Sequence, residues 1–335
     1  MRALQITELS GPDGALSLAE LPDPDPSHML TPGSGVIVDV HCAGVSFPEV
    51  LQTRGEYQLK PPLPFVPGSE VAGVVRSAPE GAQVKAGDRV AAFCALGGFA
   101  ETVVAPEFFT FPLSSELDFA QGAGLVLNYH TALFALKRRG RLQEGETVLV
   151  HGAAGGLGTA ACQLAAAYGA RVIAVVSTPQ KGDIARTAGA HEVVAVEGFR
   201  EEVRRLTDGR GVSVVVDPVG GDRFTDSLRC LATEGRVIVI GFTGREIPTV
   251  RVNRLLLTNT AVMGAASEEF WHANPGFVGQ QWRDLLPLMR SGAIDPPIGS
   301  VFALDDVASA LRTMDERRAV GRLLVRVRED TTDDS

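Results

Sequence analysis

Apolar positions follow two regimes along the chain. Through roughly the first third they come in short runs broken by Pro and Gly. Residues 3–6 and 16–19 read as short strands, and 35–41 alternates apolar and polar with the period of two expected of a strand. Leu21-Pro22-Asp23-Pro24-Asp25-Pro26 must be a loop, because prolines at alternate positions cannot sit in a central strand. Residues 70–75 and 88–92 are further strands, with a turn at Glu80-Gly81 between them. A helix precedes the loop holding Tyr57. Many short strands with turn signals predict a small, barrel-like β domain.

At Thr147 the period changes. Thr147-Val148-Leu149-Val150 is a β-branched run of the kind buried on both faces of a parallel sheet. A glycine turn, His151-Gly152-Ala153-Ala154-Gly155-Gly156-Leu157-Gly158, opens an Ala-rich helix through Tyr168, closed by Gly169. Residues 171–176 form the next apolar run. A helix at 180–187, strands at 193–194, 212–216 and 237–240, and a helix at 224–231 continue the alternation, which predicts a doubly wound parallel sheet. A helical stretch at 131–137 leads into this block. Beyond it, 277–290 reads as a helix that Pro287 should kink or end, and 305–312 as another. Residues 322–327 form a final strand outside the α/β repeat, expected to return to the β domain. Residues 329–335 are a polar tail with no reason to be ordered.

The glycines Gly152, Gly155 and Gly158 are spaced G-x-x-G-x-x-G. At a strand-to-helix turn they let backbone N–H groups approach a pyrophosphate, which the positive end of the helix favours. Between two apolar runs this pattern signals a dinucleotide site.

Length and composition bound the rest. A chain of 335 residues is long enough for two domains, placed at 1–125 with 266–335 and at 126–265. Its net charge of −9 argues against a general nucleic-acid or anionic-membrane binder. Cys42, Cys94, Cys162 and Cys230 stand singly, which supports neither a cysteine-rich zinc lobe nor a disulfide framework. No apolar run approaches the ~20 residues of a membrane span. The start of the chain does not read as a secretory leader, so a cytoplasmic location is the default expectation.

Several segments carry a family resemblance: Ala43-Gly44-Val45-Ser46-Phe47-Pro48-Glu49, Pro67-Gly68-Ser69-Glu70-Val71-Ala72-Gly73, Lys85-Ala86-Gly87-Asp88-Arg89-Val90, the glycine turn, and Val216-Asp217-Pro218-Val219-Gly220-Gly221. With a β-rich first domain, an inserted Rossmann domain and a C-terminal return, the chain resembles the medium-chain dehydrogenase/reductase superfamily. Its quinone oxidoreductase branch, which includes zeta-crystallin, is the nearest. The resemblance implies a GroES-like β-rich domain beside a doubly wound Rossmann domain. Zinc-dependent members put Cys where Ser46 stands and His where Ser69 stands. A hydroxyl is a poor substitute for either on zinc, so no metal is expected. Without a Lewis acid, hydride transfer suits an acceptor that delocalises charge itself, such as a quinone or enone.

The cofactor implied is NADPH. Gly152, Ala154, Gly155, Gly156, Leu157 and Gly158 would hold its pyrophosphate. An NAD site offers Asp or Glu at the end of the second strand. Here Ser177 follows Val176, with Thr178 and Lys181 close behind, a set that would bind a 2′-phosphate rather than repel it. Relatives use a lysine equivalent to Lys181 in this way; Arg318 or Arg322 would close the site from the C-terminal segment. By the same resemblance Thr131 sits near the nicotinamide carboxamide. Ser46 stands where most quinone reductases carry Asn, and Phe47 and Phe242 are candidate walls around the ring. Tyr57 lines the substrate cleft, and in related enoyl reductases a tyrosine here is credited as proton donor. His151 and Asp217 read as structural, the latter as a turn residue.

Three functions compete at this stage: an NADPH-dependent, zinc-independent quinone oxidoreductase; a 2-enoyl thioester or enone reductase using Tyr57 as donor; and a non-catalytic NADPH- or RNA-binding protein like zeta-crystallin. Residues 260–264 would be an apolar edge strand, expected to pair with a second copy in a homodimer.

Overall fold

The structure, a computed structural model, describes residues 1–328. The chain divides into two units. The first takes Met1–Leu127, Asn274–Gly279 and the segment from Ile298 onward; the second takes Asn128–Ala273 and Gln280–Pro297.

The first unit opens with β1 (Arg2–Ile6) and β2 (Leu16–Glu20), an antiparallel pair. The long β3 (Gly35–Val45) runs into α1 (Phe47–Gln52), and β4 (Glu70–Ser77), β5 (Arg89–Phe93), β6 (Thr102–Pro106) and β7 (Thr110–Pro112) follow. Next comes α2 (Phe119–Leu133), which passes into the second unit at Asn128 and continues as a π-helical turn over Phe134–Arg139. The second unit holds β8 (Thr147–His151), α3 (Gly156–Ala167), β9 (Arg171–Val176), α4 (Pro179–Thr187), β10 (Glu192–Ala195), α5 (Phe199–Leu206) and β11 (Val212–Asp217). It continues with α6 (Phe224–Arg229), β12 (Leu231–Val239), α7 (Asn253–Thr258), β13 (Ala261–Gly264), α8 (Ser267–Ala273) and α9 (Pro275–Arg290). The chain then returns to the first unit as β14 (Ile298–Ala303), α10 (Val307–Asp315) and β15 (Arg322–Arg326).

The sheet of the first unit has the order β14-β15-β3-β4-β5-β7, with β6 also on β3. One edge of β3 serves two partners: residues 35–39 pair with β6 and residues 42–45 with β15. On its other edge the register against β4 shifts twice, and such bulges bend a strand and let the sheet curl. Val38, Val40, Val71, Val90, Leu323 and Val325 are all buried in one core. The final strand thus does return to the β domain.

The second unit is a six-stranded parallel sheet in the order β10-β9-β8-β11-β12-β13. The order reverses between β8 and β11, where open parallel sheets of this kind bind ligands at their carboxyl edge. Leu149, Ile173, Val215 and Val237 fill its core.

The expected helix at 131–137 is the tail of a helix beginning at Phe119. Gly122 hid its start: a Cβ there would lie 2.8 Å from Leu113 and 2.9 Å from Ala72, so close packing and not a turn requires the glycine. Pro287 neither ends nor interrupts α9. It sits in the last turns on the exposed side, and Arg283, whose carbonyl loses its partner, is exposed to water. Gln281, Trp282, Leu285 and Met289 form the buried face of that helix. Its main part belongs to the second unit, beyond the boundary expected at 265, because Trp282 stacks on His130 of α2 at 6.0 Å and Gln281 donates to the His130 carbonyl at 2.9 Å. The helix expected to reach residue 231 stops at Arg229, and β12 begins at Leu231. The polar tail lies outside the described residues. Among the described residues no helix is long and apolar enough to cross a membrane.

Candidate functional site

In the second unit the glycine turn leaves β8 at the carboxyl edge of the sheet. Gly152 has φ +59°, a backbone state that a side chain disfavours. Gly155 is the N-cap of α3 and supplies no capping side chain, so the first N–H groups of that helix remain open to an anion. Gly158 has the tightest fit: a Cβ would run into the Gly152 carbonyl oxygen and lie 2.7 Å from the Ala153 Cα. It lets the helix press against the strand it follows. Gly155, Gly156 and Leu157 are half-buried, whereas Ala154 is buried.

Ser177 follows β9 directly and is exposed. Thr178 is the N-cap of α4 and its Oγ1 accepts from the Lys181 backbone N–H at 3.3 Å, so part of its role is structural. Its hydroxyl hydrogen remains available to a ligand. Lys181 lies in the first turn of α4. The three candidates for a 2′-phosphate therefore share one strand end and one helix start.

At the end of β11, Asp217 Oδ1 accepts from the backbone N–H groups of Val219 (2.9 Å) and Gly220 (2.8 Å). It is a turn residue, as the sequence indicates. Backbone bonds from Thr243 to the Pro218 carbonyl and from Gly244 to the Val219 carbonyl tie the loop after β12 to this turn. Phe242 lies in that loop, against Gly220, and is 38% exposed. His151 is fully buried, with Nε2 2.7 Å from the Ser227 hydroxyl. Burial, aided by Arg223, lowers its pKa to about 3, so the imidazole is neutral and structural. Thr131 does not open a helix. It sits in the last turn of α2, buried, with Oγ1 3.1 Å from the Ser267 hydroxyl.

In the first unit Ser46 is the N-cap of α1 and Phe47 its first residue. The Glu49 carboxylate reaches back to the Ser46 N–H at 2.8 Å and accepts from Ser69 Oγ at 2.6 Å. Glu49 is 1% exposed, and burial raises its carboxyl to about 7. Beside it, the Arg322 guanidinium donates to the Val45 carbonyl (2.7 Å), to Ser46 Oγ (3.0 Å) and to the Glu70 carboxylate. Glu70 also accepts from the Leu127 N–H at 2.7 Å. Both members of this ion pair are buried, and removing either alone would cost about 3–5 kcal/mol by leaving a buried charge.

Arg322, one of two candidates for closing the nucleotide site, is 3% exposed and gives its guanidinium to Val45, Ser46 and Glu70. Arg318 is exposed in the turn after α10 and pairs with Glu316 at 2.6 Å. The cluster also bears on zinc. Ser69 gives its hydroxyl to Glu49, and Ser46 Oγ accepts from a guanidinium; neither offers the thiolate or imidazole that zinc takes, so these residues do not fit a zinc ion. Tyr57 is half-buried in the loop after α1.

Sequence reasoning assigned no role to Glu49, Glu70 or Ser267. The Ser-x-x-Glu spacing of Ser46 and Glu49 is a capping-box signature and could have revealed the first. The Glu70–Arg322 pair spans 252 positions and has no local signal.

Residues 32–115 match the family model described as "Alcohol dehydrogenase GroES-like domain", and residues 156–290 match "Zinc-binding dehydrogenase". A quinone oxidoreductase-like protein 2 homolog of Nematostella vectensis is 37% identical over 306 residues, 88% of this chain and 82% of that protein. A probable oxidoreductase from Mycobacterium abscessus is 42% identical with a TM-score of 0.87, over 98% of this chain and 99% of that one. The quinone oxidoreductase from Thermus thermophilus, whose structure was also determined with NADPH, is 33% identical with a TM-score of 0.83, over 98% of this chain and 100% of the other. A GroES-like unit joined to a Rossmann unit defines the medium-chain dehydrogenase/reductase class. The chain belongs to the quinone oxidoreductase branch of that superfamily and is an oxidoreductase.

Proposed function

We propose that this oxidoreductase uses NADPH to reduce quinones or related conjugated carbonyl compounds without a metal. Bound NADPH would supply the hydride; the chain's own residues bind and orient it. The open N-terminus of α3 and the glycine turn favour a pyrophosphate. The observation that carries the choice of NADPH is Ser177, exposed at the end of β9 where an NAD-preferring site offers a carboxylate. Lys181 and the Thr178 hydroxyl would add a cation and a donor for the 2′-phosphate. Relatives named as quinone oxidoreductases, one of them complexed with NADPH, support the same reading.

The roles toward the nicotinamide and the acceptor that the family resemblance gives Ser46, Phe47, Tyr57, Thr131 and Phe242 are part of this proposal. A quinone reduced by hydride can take its proton from water, so Tyr57→Phe should leave quinone turnover within about threefold of wild type. An enone needs a placed proton donor, and there the same change should cost about a hundredfold. NADPH oxidation against quinones, alkenals and enoyl thioesters distinguishes the two acceptor classes, and no turnover on any of them would defeat this reading. Lys181→Ala should raise the Michaelis constant for NADPH at least tenfold while changing that for NADH little; equal changes would refute the 2′-phosphate assignment.

A further inference from the structure

We propose that Arg322 is a positioning residue: by donating to Ser46 Oγ, it turns the Ser46 hydroxyl into a hydrogen-bond donor for a carbonyl oxygen of the bound ligand. The inference rests on the reading above, in which Ser46 meets the nicotinamide or the acceptor. A serine hydroxyl has one hydrogen and two acceptor positions, and a guanidinium has donors only. The contact of 3.0 Å between Arg322 Nη1 and Ser46 Oγ therefore uses the oxygen as an acceptor and leaves its hydrogen free.

The neighbouring acceptors each hold other donors. Glu49 takes the Ser46 N–H and the Ser69 hydroxyl, and Glu70 takes Arg322 and the Leu127 N–H. The Val45 carbonyl takes the other Nη1 hydrogen at 2.7 Å. Each of these acceptors already holds a donor other than the Ser46 hydroxyl. An oxygen arriving with lone pairs can take that hydroxyl's hydrogen.

The fork is built to fit. Arg322 is 3% exposed and spans the Val45 carbonyl, Ser46 and Glu70 at once, which a single ammonium does not match. Gly44 makes room for it, since a Cβ there would collide with Arg322 Nη2 and lie 2.7 Å from the Glu70 carboxylate. Two ligand oxygens satisfy this chemistry, the acceptor's carbonyl and the nicotinamide carboxamide, and binding measurements separate them.

The experiment measures two dissociation constants by calorimetry: NADP⁺ for the free protein, and 1,4-naphthoquinone for the NADP⁺-loaded protein, which holds no hydride to transfer. The variants are Ser46→Ala, Arg322→Lys and both together, with Arg322→Gln plus Glu70→Gln as a charge-neutral second route should Arg322→Lys fail to fold. Ser46→Ala is expected to weaken one of the two ligands about fivefold to tenfold, the value of one hydrogen bond. The quinone constant moves if the partner is the acceptor, the NADP⁺ constant if it is the carboxamide. Each Arg322 variant should weaken the same ligand comparably, and adding Ser46→Ala to it should cost less than a further twofold. Effects that multiply, or a Ser46→Ala variant that binds both ligands normally, would overturn the proposal while leaving the quinone-reductase reading intact. A wild-type protein that binds neither ligand would instead sink that reading, and the proposal with it.

Discussion

Glu49 is a carboxylic acid almost without water, and it pulls the protein's stability in a definite direction with pH. Its side chain is protonated more readily in the folded chain, at about 7, than at the ordinary 4.5. The folded state therefore binds the extra proton between those values, and stability falls as pH rises through the window, by at most about 3 kcal/mol. Below about 4.5 and above about 7 this contribution is flat. Glutamine at this position keeps the reach to the Ser46 N–H and can donate to Ser69, but does not titrate. Urea unfolding at about pH 5 and about pH 8 should show Glu49→Gln losing less stability between the two than wild type. Burial also raises the Glu70 carboxyl, so a residual slope of the same sign is expected to remain. Identical slopes in the two proteins would show that Glu49 is charged throughout.

At the scale of elements, the turn from β8 to α3 depends on a close approach with no slack. A Cβ at position 158 meets backbone, not a side chain that could swing away. Gly158→Ala should therefore displace the start of α3, weaken NADPH binding at least tenfold and cost about 1–3 kcal/mol in thermal unfolding. Gly155→Ala is its control: the nearest atom to a Cβ there is 3.6 Å away, so stability should hold. This turn was legible in the sequence because both its apolar flanks and its glycines are local. So were the parallel strands, whose β-branched runs announce burial on both faces. The first half of α2 was not, because Gly122 serves packing and looks like a breaker. Short strands such as β6 and β14 carry too few residues for a period to show. The candidate site was readable where a motif carries it, at the glycine turn and Ser177. It was unreadable where residues from opposite ends of the chain meet, as Arg322 and Glu70 do.

On the scale of the whole molecule, the parallel sheet ends on β13, which has a partner on one side only among the described residues. Nearby, Ile247, Val252, Leu256 and Leu257 are each more than 70% exposed. An open apolar edge beside exposed leucines would be an aggregation hazard on a lone chain, and we propose that a second copy covers it as a homodimer. Leu256→Glu with Leu257→Glu should shift the sedimenting species from dimer toward monomer at micromolar concentration, and a wild-type protein that sediments as a monomer would refute this. The first unit is closed differently, from within the chain. One edge of its central β3 lacks a neighbour along residues 42–45 until β15, some 280 positions later, comes to lie beside it. During synthesis the parallel-sheet unit can gather most of its strands as they emerge, whereas the first unit must wait for β15, which is made after the whole of the second. Until then Glu70 has no guanidinium and that edge of β3 stays open. A chain cut before β15 would thus carry a formed second unit beside a first unit, begun earlier, that still lacks the strand to close it.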